Sequence, residues 1–186
     1  MKKVLSFIFI FILFTVHASA LELDISSKSA ILYNLDSGEV LYEKDADEKA
    51  SIASLTKIMT ALVSIENIKD LDSQVVLNAD DFKGLAEANA VTAGFTKGEV
   101  VTYRDLLYGL LLPSGADAAK ALARNIAGSE ENFIKMMNEK VEKMNLENTH
   151  FSTVIGLDDD KNYSTAREVA LIFKEALKNN DFKTIS

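Results

Sequence analysis

Apolar residues recur along the chain with two different periods, and the switches between them mark out its elements. Ala30-Ile31-Leu32-Tyr33 and Val40-Leu41-Tyr42 are short β-prone runs flanking Asp36-Ser37-Gly38-Glu39, a turn composition, so this stretch is predicted to form a hairpin. From Ser54 the period lengthens. Ile58, Met59, Leu62, Val63 and Ile65 recur at helical spacing, with Lys57, Thr60 and Ser64 on the other faces. Val75-Val76-Leu77 and Val100-Val101 read again as short strands. Thr102-Tyr103-Arg104-Asp105 is a capping-box pattern and should open a helix through Leu111. Pro113-Ser114-Gly115 breaks that helix, and Ala116 to Ala127 restarts as an alanine-rich one. Ser129 is placed to cap a further helix, with Phe133, Met136, Met137, Val141 and Met144 on its apolar side. Thr165-x-x-Glu168 is a second capping box, opening a helix that carries Val169, Ile172, Phe173 and Leu177. A strand pair followed mainly by helices, with short strands between, predicts an α/β or α+β domain of helices packed on a sheet.

The first twenty residues stand apart from this pattern. Lys2 and Lys3 precede an almost unbroken apolar run from Val4 to Val16, and Ala18-Ser19-Ala20 supplies a small-x-small cleavage site. That is the layout of a secretory signal peptide; the run is shorter than the roughly 18 residues of a membrane span. Residues 1–20 are therefore expected to be removed, leaving a mature chain of one domain, residues 21–186, that starts at Leu21. Loss of the two lysines moves the net charge from −8 to −10. An acidic domain with no basic cluster does not suit nucleic acid. With no cysteine in the chain, neither a disulfide framework nor a thiolate zinc site is available.

Ser54-Leu55-Thr56-Lys57 is the one Ser-x-x-Lys tetrad in the sequence. With 15 serines and 17 lysines in 186 residues, roughly one such tetrad is expected by chance, so spacing says little and placement says more. The tetrad falls where the helical period begins. Positions three apart share a helix face, which brings the Lys57 amine within reach of the Ser54 hydroxyl. The helix start adds free N–H groups and a positive dipole end beside the serine. A serine hydroxyl becomes a useful nucleophile when a neighbouring base takes its proton, and lysine is such a base once desolvation lowers its pKa. On spacing and placement alone, a capping serine followed by a solvated lysine explains the same residues at least as well.

The surrounding residues tip that balance. Ala53-Ser54-Leu55-Thr56-Lys57-Ile58-Met59-Thr60-Ala61-Leu62 resembles the active-site signature of the low-molecular-mass penicillin-binding proteins, the serine-type D-alanyl-D-alanine carboxypeptidases (peptidase S11). Ala30 to Tyr42, with Ser37-Gly38-Glu39-Val40-Leu41-Tyr42, resembles the family's opening hairpin, and Gly98-Glu99 with Asp105 to Leu111 resembles the run before its second motif. Thr149-His150-Phe151, Gly156-Leu157-Asp158-Asp159 and Tyr163-Ser164-Thr165-Ala166 resemble a later stretch. The resemblance covers nearly all of residues 21–186. It implies a β-lactamase/transpeptidase-like catalytic domain, helices packed on an antiparallel sheet.

The same resemblance implies an activity and its residues. Ser54 would be the nucleophile, Lys57 the base, and Ser114, in the place of the family's second motif, a proton relay able both to donate and to accept. Ala116 departs from that motif, which commonly has asparagine there. The third motif, Lys-Thr-Gly, is absent: Lys183-Thr184-Ile185 lacks the glycine and corresponds to the stretch before it. The domain is accordingly expected to be partial, with later strands missing, either as a piece of a longer protein or as a truncated relative. The implied reaction is removal of the terminal D-alanine from peptidoglycan stem peptides through an acyl-enzyme, sensitive to β-lactams and needing no cofactor. The implied location is outside the cytoplasmic membrane, in the periplasm or on the membrane's outer face, with peripheral attachment through a C-terminal region beyond residue 186.

Two alternatives carry less: a non-catalytic envelope protein that binds peptidoglycan or penicillin, and a class A-like β-lactamase, for whose deacylating glutamate Glu87, Glu130 and Glu131 offer no fitting context. The remaining candidates read more plainly. His150 is expected to be structural, not the base of a triad. Asp158-Asp159-Asp160 reads as a solvated turn without the ligand spacing of a calcium loop. Met136, Met137 and Met144 read as core.

Overall fold

A computed structural model of the chain describes residues 24–157 and 159–186. The expected signal peptide, residues 1–20, its cleavage point at Leu21, and Asp158 of the acidic turn lie outside the described residues. The chain opens with the predicted hairpin, β1 (Ala30–Tyr33) antiparallel to β2 (Val40–Lys44), with Leu32 opposite Tyr42. Strand β3 (Ala50–Ser51) and a 3₁₀ turn (Ala53–Leu55) lead into α1 (Thr56–Asn67). Then follow β4 (Gln74–Val76), a 3₁₀ turn (Ala79–Phe82), β5 (Val100–Thr102), α2 (Tyr103–Leu111), α3 (Ala116–Ala127) and α4 (Glu130–Lys143). The last elements are β6 (Tyr163–Ser164), α5 (Ala166–Ala176) and α6 (Asn180–Ile185).

Strand pairing is antiparallel throughout the described residues, as expected. It is divided among three two-stranded ladders, β1–β2, β3–β6 and β4–β5, and the helices form the bulk of the core. Helix α1 is the axis of that core: α2, α3, α4, α5 and α6 all pack on it, and α5 also packs on β1. Met59, Leu62, Val63 and Ile65 are buried, as their spacing predicts, while Ile58 packs only partly buried against them. Buried too are Thr56 and the three residues the pattern had placed on the other faces, Lys57, Thr60 and Ser64. A helix enclosed by neighbours has no wet face, so its polar side chains need partners inside the protein.

Local chemistry fixes the element boundaries. The Thr102 side chain accepts from Asp105 N, and the Asp105 carboxylate accepts from Thr102 N at 2.8 Å, the full reciprocal box. Ser129 caps α4 through Asn132 N. The second box is only half made. Thr165 accepts from Glu168 N, but the Glu168 carboxylate turns away to accept from Asn148 N and Thr149 Oγ1. It ties α5 to the segment after α4 instead of capping its own helix. Thr149 in turn bonds Ser164 of β6, within 2.6 Å, deep inside the protein.

Candidate active site

Ser54 sits in the 3₁₀ turn just before α1 and is exposed, while Lys57 belongs to the first turn of the helix and is only 5 % exposed. The i, i+3 spacing does what it predicts: Lys57 Nζ stands 3.3 Å from Ser54 Oγ. The amine also donates to the Ile155 carbonyl at 2.7 Å, a contact spanning 98 residues. Burial pushes the lysine pKa below its ordinary value, because the charged form loses solvation that the neutral amine does not need. One N–H directed at Ile155 leaves the lone pair of a neutral amine available to accept the serine proton.

The first turn of α1 is locked to the 152–156 segment by more than this bond. Thr60 Oγ1 donates to the Val154 carbonyl at 2.8 Å, and Asn162 Nδ2 donates to Thr56 Oγ1 at 2.8 Å. Asn162 Oδ1 accepts from Ser152 N at 3.3 Å, closing the loop on itself. Gly156 is pressed against the backbone entering α1. A methyl there would fall within 3.0 Å of the Ala53 carbonyl and beside Thr56 Oγ1, and the backbone at φ 77 also disfavours any L side chain. Ala53 itself has a left-handed backbone, φ 43, directly before the serine.

Ser114 lies in the turn between α2 and α3, half-buried, with φ 64. Both flanking helices pack on α1. The structure thus brings Ser54 and Lys57 into contact; among the described residues no hydrogen bond joins Ser114 to either. Ala116 is buried at 1 % exposure, and its N–H donates to the Val91 carbonyl at 2.8 Å. Its methyl offers no hydrogen bond where an asparagine amide would. Five non-glycine residues among those described have a left-handed backbone: Asp45, Ala53, Asn89, Ser114 and Asn145. Asp and Asn tolerate this region; alanine and serine do so rarely. The two unusual cases flank or constitute the candidate site, as stored backbone strain often does.

The other candidates fall outside this arrangement. His150 is exposed, has Nδ1 2.6 Å from the Lys161 carbonyl, pairs by its backbone with Tyr163 and stacks on that ring. Asp159 accepts from Lys161 N and Ser152 Oγ, bonds that hold its carboxyl below the usual range, and it shapes the loop. Phe133, Met137 and Val141 are buried in the core, and Met136 and Met144 pack partly buried against it. Lys183-Thr184-Ile185 lies in the short helix α6, not on a strand. The residues that sequence reasoning passed over are Thr56, Thr60, Ile155, Asn162 and Asp117. Two of these signals were visible in principle, since threonines inside an apolar helix need partners; the role of the Ile155 carbonyl leaves no trace in side-chain identity.

Comparison with known proteins fits this geometry. The family model described as D-alanyl-D-alanine carboxypeptidase, peptidase S11, matches residues 14–186. The chain is 38 % identical over 160 residues to the D-alanyl-D-alanine carboxypeptidase DacF of Bacillus subtilis, covering 84 % of this chain and 40 % of that protein. It is 42 % identical over 159 residues to DacC of Escherichia coli, covering 81 % and 39 %. The crystal structure of the Streptomyces K15 DD-transpeptidase superposes with a TM-score of 0.85 at 37 % identity, over 88 % of this chain and 65 % of that one. The chain therefore spans about two fifths of the length of these two carboxypeptidases and about two thirds of the solved domain.

Proposed function

The chain belongs to the D-alanyl-D-alanine carboxypeptidase family, peptidase S11, and from that premise we propose that it forms the nucleophile-bearing part of an exported serine D-Ala-D-Ala carboxypeptidase. The observation that carries the reading is the pairing of an exposed serine with a buried lysine of lowered pKa, 3.3 Å apart. In the proposed reaction Ser54 Oγ attacks the penultimate carbonyl of a peptidoglycan stem peptide while Lys57 Nζ takes the hydroxyl proton. The C–N bond to the terminal D-alanine breaks, and its amine leaves with a proton relayed through Lys57 and Ser114. Water then attacks the Ser54 ester, returning the hydroxyl and releasing the shortened peptide. No step calls for a metal or organic cofactor.

A β-lactam presents a strained amide at the same carbonyl position and should acylate the same oxygen. A fluorescent penicillin is expected to label the folded, full-length protein at Ser54, with D-alanine released from an acyl-D-Ala-D-Ala peptide; Ser54→Ala should do neither. Wild-type protein that folds but takes no label at Ser54 would sink the proposal. The leader read in residues 1–20 supports export, and among the described residues no helix is long and apolar enough to cross a membrane. N-terminal sequencing of protein recovered from cells tests export directly, with Leu21 the expected first residue and an intact Met1 the contrary result.

A further inference from the structure

We propose that Asp117 is a positioning residue for this reaction, fixing the turn that carries Ser114 by tying the 93–95 backbone to the start of α3. The inference rests on the roles given above to Ser54, Lys57 and Ser114. Asp117 is fully buried, and no lysine or arginine pairs with it among the described residues. Its partners are backbone N–H groups. Oδ1 accepts from Ala93 N at 2.7 Å and Ala118 N at 2.9 Å, and Oδ2 accepts from Gly94 N at 3.2 Å and Phe95 N at 3.3 Å. One carboxylate thus joins two segments that are more than twenty residues apart in sequence.

Ser114 lies at the edge of this knot. The next residue, Gly115, has no room for a side chain: a Cβ would stand 2.5 Å from the Gly109 carbonyl, 2.7 Å from Ala93 Cβ and 2.8 Å from Asp117 Oδ1. Gly115 N donates to the Gly109 carbonyl at 2.9 Å, and Ala116 N donates to the Val91 carbonyl at 2.8 Å. The peptide planes after Ser114 are thereby fixed by α2, the 91–95 segment and α3 together. A serine at φ 64 keeps that conformation only when its surroundings over-determine it. The Ser114 side chain makes none of these bonds, so the knot sets where its hydroxyl is without occupying it. A relay displaced by a fraction of an ångström transfers protons less well, which is how a buried group remote from the reacting atoms influences rate.

The test is a double-mutant cycle on the full-length protein, read as the rate of acylation by fluorescent penicillin. Asp117→Asn keeps the shape and one acceptor but loses the bonds from Gly94 and Phe95. We expect acylation to slow about a hundredfold in Ser114→Ala and about tenfold in Asp117→Asn. The double variant should lie within about threefold of Ser114→Ala, because a residue acting through Ser114 has nothing left to position once the hydroxyl is gone. Effects that multiply to about a thousandfold would instead assign Asp117 to general stability and overturn the inference. So would Asp117→Asn acylating at the wild-type rate. Should Asp117→Asn not fold, Gly94→Ala serves in its place: the methyl meets no atom, but the backbone at φ 92 resists it and loosens the same loop from outside. The same collapse of its effect on the Ser114→Ala background is expected. Failure of wild-type Ser54 to acylate removes the functional reading first; normal wild-type acylation with non-coupled variants removes this inference alone.

Discussion

The two halves of the candidate site are built in opposite ways. On the α1 side, side chains reach across the protein: Lys57, Thr60 and Thr56 each bond the 154–162 region, and the Lys57 amine is itself one of the ties. On the Ser114 side the ties are backbone groups gathered by Asp117 and by glycines without room for a Cβ, and the serine takes no part in them. In the proposed mechanism Lys57 needs burial to lose its proton, so its anchor and its activation would be one arrangement. A hydroxyl relay needs placement alone, and a rigid backbone supplies that while leaving the oxygen free. Chemistry that depends on a shifted pKa is sensitive to everything that packs on it; chemistry that depends on position is sensitive to the turn.

Removing the base should have the largest effect. Lys57→Ala is expected to slow penicillin acylation by about a thousandfold, in the range usual for loss of a general base. In the wild type the rate should rise with pH as Lys57 loses its proton, with a midpoint below the roughly 10.4 of a free lysine, since its pKa is lowered. A pH–rate profile with no such limb, or one unchanged in Lys57→Ala, would break the comparison at its root.

Gly156→Ala sharpens it. The added methyl collides with the Ala53 carbonyl at a positive φ, so a loss of about 3 kcal/mol in denaturant unfolding is expected. Loosening the loop also admits water to the amine, so the midpoint of the acylation limb should move up toward ordinary lysine. Thr60→Val leaves the Val154 carbonyl without its 2.8 Å donor and should cost about 1–2 kcal/mol, with a smaller shift of the limb in the same direction. A shift of the limb by Asp117→Asn as large as that by Gly156→Ala would erase the distinction between the two halves. Smallest is Ser64→Ala. Its hydroxyl is buried on the same helix with no hydrogen-bond partner among the described residues, so deletion should be neutral or stabilise by up to about 1 kcal/mol. A clear loss of stability there would reveal a partner for the hydroxyl.

Much of the fold was legible because it is local. The hairpin, both strands of β4–β5 and the starts of α2, α3, α4 and α5 follow from period and capping residues that lie within a few positions of each other. Strands β3 and β6 were not, since two-residue ladders carry no period; Ala50 opposite Ser164 is a purely tertiary fact. Glu168 misled for the same reason: a capping-box glutamate and a glutamate that bonds Asn148 have one sequence signature. In the candidate site, the contact between Ser54 and Lys57 was legible because three positions separate them. The burial of Lys57 was not, because the pattern put it on another face of the helix and only tertiary packing around α1 removes that face from water.

The bond from Lys57 to Ile155 also has a consequence in time. Ser54 and Lys57 are neighbours in the chain, but the carbonyl that holds the amine is 98 residues later. At about 5–20 residues per second, some 5–20 s of synthesis separate the two. Throughout that interval the amine lacks the buried carbonyl that holds it beside the serine. A chain arrested before residue 155 should therefore leave Ser54 unlabelled by penicillin, however well its first helix forms. If the proposed mechanism holds, reactivity is a late event of biogenesis, timed by the distance along the message between a helix and the loop that holds its amine.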